Sequence, residues 1–450
     1  MDRGKIKDLI EEIERNYPVN SWIHNGYNVW PILRIKLYIH LASQEVTNSD
    51  YNNTRGFGSI FKLFLSGIEY VKYYFLKRSG CVVYVGDPSR CSNINNVSYN
   101  KYFDKMMDCD DNAIYFSKSD SKIGVYRPDR HFLFSNLLFG YKVLKYMFNK
   151  KQIQPYYIQE ICDYLICNGI ELEGFEKKAI SFVKNVDLSE SLSTKIFNKL
   201  KPEKILVSCY YSSDVLGLLI AAHKQSISTI DMQHGGQGKN HLAYCSWSKV
   251  PKEGYEALPN IFYTWDGQSA QEINDWAKDT KKHDAIHFGN PWVESWKHGK
   301  FKNVEFNWPN NLVLYTMQPI KEPLEEYFIE TIQQTKNNYN WWIRLHPRQN
   351  REKKLIINQL IYHNLYSYVN IEDATNLPLP EILSHTSAHI TKFSGSTLEA
   401  IQFGIPTILI DKRGKDPFEI YLKTSDLVEG FFDKDSNELV KGIQRIMSNN

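Results

Sequence analysis

The sequence predicts an α/β protein made of two domains, each folded around a parallel sheet with helices on both faces. The chain has 450 residues, which is too long for one ordinary hydrophobic core. Short apolar runs alternate with helix-length segments through its second half, and a glycine or proline turn closes several of those runs. Two such domains should leave a cleft between the carboxyl edges of their sheets, where a ligand would bind.

Composition and charge narrow the class of protein. With 42% hydrophobic and 23% charged residues the chain reads as globular. The charged N-terminus from Met1 to Asp8 lacks the apolar core of a signal peptide, so we expect a cytoplasmic location. A net charge of +3 does not indicate a nucleic-acid partner.

The sequence does not predict a metal site. Seven cysteines are scattered along the chain, and Cys162 and Cys167 have no second pair at metal-ligand spacing. The segment from Asp108 to Asp111 resembles an Asp-x-Asp metal motif, but it precedes a strand in the manner of a surface turn. We therefore expect reduced thiols, no metal and no cofactor.

The first 80 residues predict a helical segment, with Ile6, Leu9 and Ile10 at helical spacing. Basic and aromatic residues are interleaved in 55–78 and again in 131–151. This pattern is typical of a helix on an anionic membrane face, and equally of a core-packing helix with lysines at its edge. Peripheral contact with the inner membrane is therefore one of two interpretations.

The first domain is predicted over residues 1–295. Its first buried strand runs from Cys81 to Val85 and ends in a glycine turn followed by a polar loop that runs to Asn100. A strand at 204–210, a helix at 214–224 and a strand at 228–232 form a βαβ unit.

The second domain is predicted over residues 296–432, after a polar stretch. Its predicted strands, which alternate with helices, are 312–316, 341–345, 369–371, 388–391 and 407–410. Residues 433–450 include an amphipathic helix that could cross back to the first domain.

A histidine-glycine turn follows one strand of the first domain. Gln233-His234-Gly235 comes directly after Met232, and three of the four residues after the histidine are glycines, so that a ligand can approach the backbone closely. Histidine has a pKa range suited to a general base. Strand alternation places Asp231 on the opposite face from His234, so no Asp–His dyad is implied.

Other polar loop residues of this domain are candidates for catalysis and for acceptor binding, although solvated positions are their more common fate. The carboxylates that could act as base or nucleophile are Asp87, Asp214 and Asp231. The candidate acceptor contacts are Arg90, Tyr102, Asp104, Tyr210 and Tyr211.

In the second domain two loops could meet a phosphate. Arg344 and His346 end a strand on the same face, where a cation and an imidazole could contact a leaving phosphate. The loop before Ser396 has small residues, Ser396 is predicted as a helix N-cap, and Glu399 would complete a capping box or accept from a ribose. A solvated arginine, a core histidine and an ordinary helix start are the alternatives. The predicted nucleotide-binding residues are Arg344, His346, Lys392, Ser394, Gly395, Ser396, Thr397 and Glu399.

The order of these motifs resembles that of GT-B glycosyltransferases of bacterial surface polysaccharide assembly. The motifs are Gln233-His234-Gly235, Gly289-Asn290-Pro291, Arg344-Leu345-His346-Pro347 and Phe393 to Ala400. They are most similar to capsule and lipopolysaccharide transferases that use CMP-activated Kdo or sialic-acid-type sugars, and similar to wall teichoic acid enzymes that use CDP-glycerol. Gln233 stands where the teichoic acid enzymes have tryptophan, and the Glu-Asp-Gly motif of sialyl polymerases is not found.

The resemblance implies two Rossmann-like domains and a metal-independent transfer of a CMP-linked ulosonic or nonulosonic acid to a glycan or lipid-linked glycan. It implies that His346, Ser394 and Ser396 hold the phosphates, that Glu399 meets the ribose, and that His234 is the base. Three alternatives stay open: a nucleotide-sugar 2-epimerase, a CDP-glycerol-type polyol-phosphate transferase, and a non-catalytic polysaccharide-assembly protein.

Overall fold

The computed structural model divides the chain into two compact units, Met1–Asn290 and Pro291–Asn450. The described residues are 3–43, 58–94, 96–119, 124–148, 156–170, 172–301, 306–318, 320, 324–349 and 352–449. Parts of the two predicted basic, aromatic-rich stretches, 55–57 and 149–151, lie outside them. None of the helices in the described ranges has the length and apolar character that crossing a bilayer requires.

The elements of the first unit alternate along the chain. Its strands are β1 (Ile23–His24), β2 (Tyr27–Asn28), β3 (Val82–Gly86), β4 (Cys91–Ile94), β5 (Val97–Asn100), β6 (Ile114–Ser117), β7 (Gly124–Val125), β8 (His131–Leu133), β9 (Lys204–Ser208), β10 (Ser228–Met232), β11 (Ile261–Thr264) and β12 (Asp284–His287). Its helices are α1 (Arg3–Asn16), α2 (Trp30–Ser43), α3 (Gly58–Tyr74), α4 (Asp104–Met107), α5 (Phe134–Phe148), α6 (Tyr156–Cys167), α7 (Phe175–Leu200), α8 (Ser213–Lys224) and α9 (Gly267–Ala277).

Seven of these strands form a parallel sheet in the order β12-β11-β10-β9-β3-β6-β8. Strands β3 and β9 are neighbours, and from this pair the chain winds outward in both directions. The order of strands therefore reverses between β3 and β9, which is where doubly wound sheets open a crevice at their carboxyl edge. Strands such as β9, buried at Ile205, Leu206 and Val207, are continuous apolar runs because helices cover both faces.

The helical N-terminal segment is confirmed as α1 and α2, and the apolar stripe of α1 at Ile6, Ile10 and Ile13 is fully buried. One prediction for this unit is wrong. The polar loop expected up to Asn100 instead contains β4 and β5, which pair antiparallel in a small separate sheet with β7. The polar residues of these short strands do not show the apolar run by which buried strands are recognised.

The second unit has the same winding. Its strands are β13 (Leu312–Thr316), β14 (Asn340–Arg344), β15 (Val369–Asn370), β16 (Ala388–Thr391), β17 (Thr407–Leu409) and β18 (Val428–Gly430). Its helices are α10 (Pro291–Lys297), α11 (Glu326–Thr335), α12 (Lys353–Tyr362), α13 (Glu372–Asn376), α14 (Leu379–Leu383), α15 (Ser396–Gln402), α16 (Glu419–Thr424) and α17 (Ser436–Asn449).

All six strands of this unit are parallel, in the order β15-β14-β13-β16-β17-β18. The reversal lies between β13 and β16, and helix α17 packs against α11 within the unit. Each unit also has its own buried apolar cluster. The predicted fold class, α/β with two Rossmann-like parallel sheets, is therefore confirmed.

Candidate active site

The first cluster of polar groups lies where the strand order of the first sheet reverses. Strands β3, β6, β9 and β10 end close together there, because they are neighbours in one parallel sheet. Their carboxyl ends lead to Arg90, Lys118, Tyr211 and His234 respectively. The structure therefore brings three of the predicted site residues into one group with a lysine that the sequence analysis did not single out.

Asp231 is the last but one residue of β10 and is 1% exposed. Its two carboxylate oxygens accept hydrogen bonds from the backbone N–H of Tyr210, at 3.1 Å, and from the hydroxyl of Tyr244, at 2.9 Å. Burial raises the pKa of Asp231 to about 8. The two hydrogen bonds and the charge of the nearby Lys118 act in the opposite direction, but their effect on the pKa is smaller. This carboxyl group is therefore mostly protonated at neutral pH.

His234 follows β10 and is partly exposed. Its Nε2 lies 3.1 Å from the hydroxyl of Tyr211, and its Nδ1 lies 3.4 Å from the hydroxyl of Tyr244. Burial of the ring lowers the pKa of His234 well below its ordinary value, and the positive charge of Arg90 lowers it further. The imidazole is therefore neutral at physiological pH and able to accept a proton.

Tyr244 joins the other two groups. Its hydroxyl contacts Asp231 and His234 at once, so that a carboxyl, a phenol and an imidazole form one hydrogen-bonded chain. The side chains of Asp231 and His234 both reach the hydroxyl of Tyr244, although the described residues show no direct hydrogen bond between the two. The sequence analysis missed the bridge, because Tyr244 lies ten residues beyond His234 in a segment without helix or strand.

Two positively charged side chains lie near the hydrogen-bonded group of Asp231, Tyr244 and His234. Lys118 donates from Nζ to the hydroxyl of Ser212 at 3.0 Å and to the carbonyl of Cys209 at 3.4 Å. Arg90 is near enough for its charge to affect the pKa of His234 and of Asp231. An anionic group of a ligand at this edge of the sheet would meet both positive charges.

The remaining predicted residues of this unit lie around the cluster or beneath it. Tyr210 is fully buried and its hydroxyl donates to the carbonyl of Ala243, so it supports the site from below. Tyr102 is buried against Trp265. Asp87 caps a short 3-10 turn by accepting from the backbone N–H of Ser89, at 2.8 Å.

Two other predicted carboxylates have local roles. Asp104 accepts a hydrogen bond from the backbone N–H of Asn100 at 2.6 Å, which ties it to the end of β5. Asp214 lies in the first turn of α8. The hydrogen bond of Asp104 does not involve Asp231, Tyr244 or His234.

The second cluster lies at the corresponding place in the other unit. Arg344 ends β14, the loop of Ser394 and Gly395 follows β16, and both strands flank β13. Gln318, which lies just beyond β13, is buried, and among the described residues its side-chain nitrogen has no hydrogen-bond partner. The sequence analysis did not single out Gln318, although its position beyond a strand at the reversal could have indicated it.

The loop after β14 orients His346. The Nδ1 of His346 accepts the backbone N–H of Arg348 at 3.2 Å. Burial lowers the pKa of His346 to about 4, so the ring is neutral at pH 7 and its proton must be on Nε2. His346 therefore presents one N–H donor, without charge, from a partly exposed position.

The guanidinium group of Arg344 is hydrogen-bonded to neighbouring backbone. Its Nη1 donates to the carbonyls of Ala374 and Leu377, at 2.7 and 2.6 Å, and so holds the end of α13 against β14. Burial lowers the pKa of Arg344 to about 10, opposed by the charge of Glu399. Arg344 at the end of β14 and Glu399 in the first turn of α15 are thus electrostatically coupled.

The serine loop combines exposed and buried groups. Gly395 is exposed and Ser394 partly exposed, and among the described residues their backbone N–H groups have no acceptor. The prediction that Ser396 caps α15 is wrong, because Gly395 is the N-cap. The hydroxyl of Ser396 is instead hydrogen-bonded to the hydroxyl of Thr316, at 2.8 Å.

Two further side chains of this loop region are buried. The Oγ1 of Thr397 has no partner among the described residues. Lys392 is 2% exposed and is ion-paired with Glu325, which also pairs with Lys434 at 2.5 Å. The predicted phosphate contact from Lys392 would have to compete with that pair.

A buried histidine, His389, lies under the serine loop. Its Nε2 is 2.9 Å from the hydroxyl of Thr316, and its Nδ1 is 3.1 Å from that of Thr407. Burial lowers the pKa of His389 to about 3, so the imidazole is neutral. The described residues include no group of three or more His, Cys, Asp or Glu side chains arranged to hold a metal ion.

No protein-family model and no curated protein matches the chain. Solved structures of similar fold include a protein from Listeria monocytogenes described as a UDP-N-acetylglucosamine 2-epimerase, at 12% identity and a TM-score of 0.48, covering 82% of this chain and 88% of that one. The Neisseria meningitidis UDP-GlcNAc 2-epimerase bound to UDP-GlcNAc has 14% identity and a TM-score of 0.43, with 82% and 91% covered. The glycosyltransferase of kitacinnamycin has 9% identity and a TM-score of 0.47, with 83% and 92% covered. These figures indicate a similar fold and nothing more.

The prediction of a transferase for a CMP-activated sugar is contradicted. The matched structures include UDP-GlcNAc 2-epimerases from several organisms and give no support to the Kdo, sialic-acid or CDP-glycerol types. The coarser part of the prediction, two Rossmann-like domains with parallel sheets, is confirmed by the sheets themselves.

Proposed function

We propose that this chain is a nucleotide-sugar 2-epimerase, with a UDP-linked 2-acetamido sugar as its first candidate substrate. The observation that carries the proposal is the chain of Asp231, Tyr244 and His234. An epimerase removes a proton from carbon and returns one, so it needs a protonated acid and a free base at the same pH. A raised carboxyl pKa and a lowered imidazole pKa supply that pair at neutral pH.

The chemistry requires the nucleotide to leave. The proton on C2 of such a sugar is not acidified by a neighbouring carbonyl group. It can be removed while the bond between C1 and the phosphate oxygen breaks, which gives a C1=C2 double bond and a nucleoside diphosphate. The C–H electron pair becomes the double bond, and the C1–O pair remains on the diphosphate. Readdition, with a proton delivered to the other face of C2, gives the epimer.

We assign the proton transfers to the first unit. His234 accepts the proton from C2, and the protonated carboxyl group of Asp231 supplies a proton to the other face of C2 through the hydroxyl of Tyr244. The same hydroxyl then passes the proton of His234 to the ionised Asp231. After the reverse addition both groups return to their starting protonation states. No outside acid or base is consumed.

We assign the diphosphate to the second unit. The Nε2–H of His346 and the exposed backbone N–H groups of Ser394 and Gly395 are donors that could meet the charge left on the departing phosphate. Glu399, beside Arg344, is our candidate for the ribose hydroxyls. Hydrogen bonds to an anion are the stronger kind, about 1.5–3 kcal/mol each.

The test is turnover of UDP-GlcNAc in deuterated water, with chelator and without any acceptor, followed by proton NMR. We expect a C2 epimer that carries deuterium at C2. We expect Tyr244→Phe and His234→Gln to lower the rate by about 10²–10⁴, the range that positioned acid–base groups contribute. Release of nucleotide that requires an added acceptor, or an epimer that retains the original hydrogen, would contradict the proposal.

A further inference from the structure

One face of α3 exposes large apolar side chains. Phe61, Phe64, Ile68 and Val71, with Phe75 directly after the helix, are 62%, 64%, 49%, 56% and 69% exposed. Their spacing of three and four residues places them in one stripe along the helix. The opposite face is buried against α5, where Ser66 packs beside Gly140 so closely that a Cβ on the glycine would overlap it. The stripe is therefore held outward by a fixed helix.

The charge around this stripe has one sign. Lys62 and Lys77 are exposed beside it, whereas Lys72 is ion-paired with Glu69 at 3.9 Å and donates to the carbonyl of His131. The helix has a single carboxylate, Glu69, which is 7% exposed and accepts the backbone N–H of Leu133 at 3.1 Å. The neighbouring α5 contains no acidic residue. A partner of this surface therefore has to be apolar and negatively charged.

A groove lies between α3, α5 and α7, with a volume of about 440 Å³. Its walls are Tyr70, Tyr73, Leu137, Leu144, Leu192 and Ile196. The ammonium groups of Lys145 and Lys195 lie 5.6 and 4.9 Å from the centre of the Tyr141 ring. Neither lysine is paired with a carboxylate among the described residues. An acyl chain with an anionic head group matches such a groove.

We propose that the α3 stripe and this groove form a docking surface for an anionic phospholipid bilayer. The stripe would enter the acyl boundary, the lysines would meet lipid phosphates, and one acyl chain would occupy the groove. A second copy of this chain fits less well. The stripe spans about two heptads, short of the three or four that a coiled coil needs, and two copies would bring lysines together.

The test is co-sedimentation of the full chain with vesicles of phosphatidylcholine alone, and of phosphatidylcholine with phosphatidylglycerol at about 7:3. We expect binding to the anionic vesicles that weakens at high salt, because screening shortens the reach of the lysines. Phe64→Ser with Val71→Ser changes only exposed side chains and should weaken binding at least about tenfold. Lys145→Glu with Lys195→Glu should remove the preference for anionic lipid.

A matched control comes from α12 of the second unit. Lys354→Glu with Leu355→Ser alters one exposed cation and one side chain that is 67% exposed, and should leave vesicle binding unchanged. Equal binding by the α3 variant and the unaltered chain would overturn the proposal, as would no binding to either vesicle. A dimer in light scattering that dissociates in the α3 variant would overturn it too, and would assign the stripe to a second copy. Nucleotide-sugar turnover without vesicles is a separate readout, which these variants should not change.

Discussion

At the scale of single residues, the buried carboxyl of Asp231 makes stability depend on pH. Its pKa is about 8 in the folded chain, against about 3.9 in an unfolded one. Between these values the folded state binds one more proton, so the stabilisation is complete below about pH 4 and is lost as pH rises towards 8. We expect this group to lower the free energy of unfolding by about 1.4 kcal/mol per pH unit in that window.

Urea denaturation between about pH 5 and 8 checks this, since Asp231→Asn cannot titrate and should lack that slope. The control is Asp214→Asn, at a partly exposed position of the same unit, which should keep the slope of the unaltered chain. If the free energy of unfolding has the same pH dependence in Asp231→Asn and in the unaltered chain, Asp231 is ionised over the whole pH range measured.

His346 offers a second residue-scale prediction. Because its Nδ1 is occupied by the backbone of Arg348, only Nε2–H can reach a phosphate. His346→Ala should weaken nucleoside diphosphate binding about 10–100-fold, the equivalent of one hydrogen bond to an anion. His346→Gln keeps an N–H near the Nε2 position and should stay within a few-fold of the unaltered chain. Calorimetry with UDP measures both, and equal losses would exclude the N–H as the contact.

Residue roles were only partly predictable from the sequence. Alternation is a local property of extended backbone, and β10 ends at Met232, so it does not determine how Asp231 and His234 lie relative to each other. Tyr244 could not be found in this way, since the contact depends on how an irregular segment folds back onto the sheet. Ser396 was misassigned as a cap for a similar reason: its hydroxyl meets Thr316, eighty residues earlier in the chain.

At the scale of elements, Gly217 sets the distance between two helices. A Cβ at this position of α8 would overlap the carbonyl of Val186 and lie 2.7 Å from the backbone nitrogen of Glu190, both in α7. Because backbone atoms cannot move aside as a flexible side chain does, Gly217→Ala should destabilise the unit by about 1–3 kcal/mol. The measurement is the urea midpoint.

The control is Gly267→Ala in α9, where a Cβ would meet no atom within 4 Å. This change should be neutral or stabilise by up to about 1 kcal/mol, because alanine favours the helix. Similar changes in the free energy of unfolding at both positions would show that the close approach of α7 and α8 does not make alanine at Gly217 destabilising.

Arg34 of α2 fixes the segment that carries Tyr244. Its Nε donates to Glu14 at 2.9 Å, and its Nη2 donates to the carbonyls of Cys245 and Ser246 at 3.3 and 2.6 Å. Arg34→Met would leave the Glu14 charge buried without this partner, so we expect a loss of about 3–5 kcal/mol. Turnover should also fall, because Tyr244 precedes the anchored carbonyls.

A double variant separates the two effects. Arg34→Met with Glu14→Leu should recover part of the stability, because no unpaired charge remains. It should not recover the turnover, because the carbonyls of residues 245 and 246 still lack their donor. Recovery of both would mean that Arg34 acts through charge alone.

Strands could be predicted from the sequence where burial requires a run of apolar residues. The parallel strands β9, β10, β13 and β16 are buried on both faces and are therefore visible as apolar runs. The polar strand β4 leaves no such run, and it was taken for a loop.

At the scale of the whole molecule, nucleotide binding should appear as added stability of the chain. A ligand at about 100 times its dissociation constant stabilises by about 2.7 kcal/mol, which raises Tm by several degrees. A thermal-shift panel of CMP, CDP, UDP and GDP measures this. We expect the diphosphates to exceed CMP, and UDP to be among the best. His346→Ala should reduce the stabilisation to about 0.4–1.4 kcal/mol at the same ligand concentration, and a shift with CMP alone would contradict the assignment of a diphosphate.

The matching strand orders of the two sheets bear on how such a chain can change over evolutionary time. In each unit the groups assigned to chemistry follow the carboxyl ends of strands on either side of the reversal, while the strands supply the apolar core. Substitutions and insertions in these loops can alter the ligand at little cost to folding, because the sheets beneath are unaffected. A lineage with this architecture can therefore exchange one reaction for another while its strands hardly change, and chains of the same fold need share few residues.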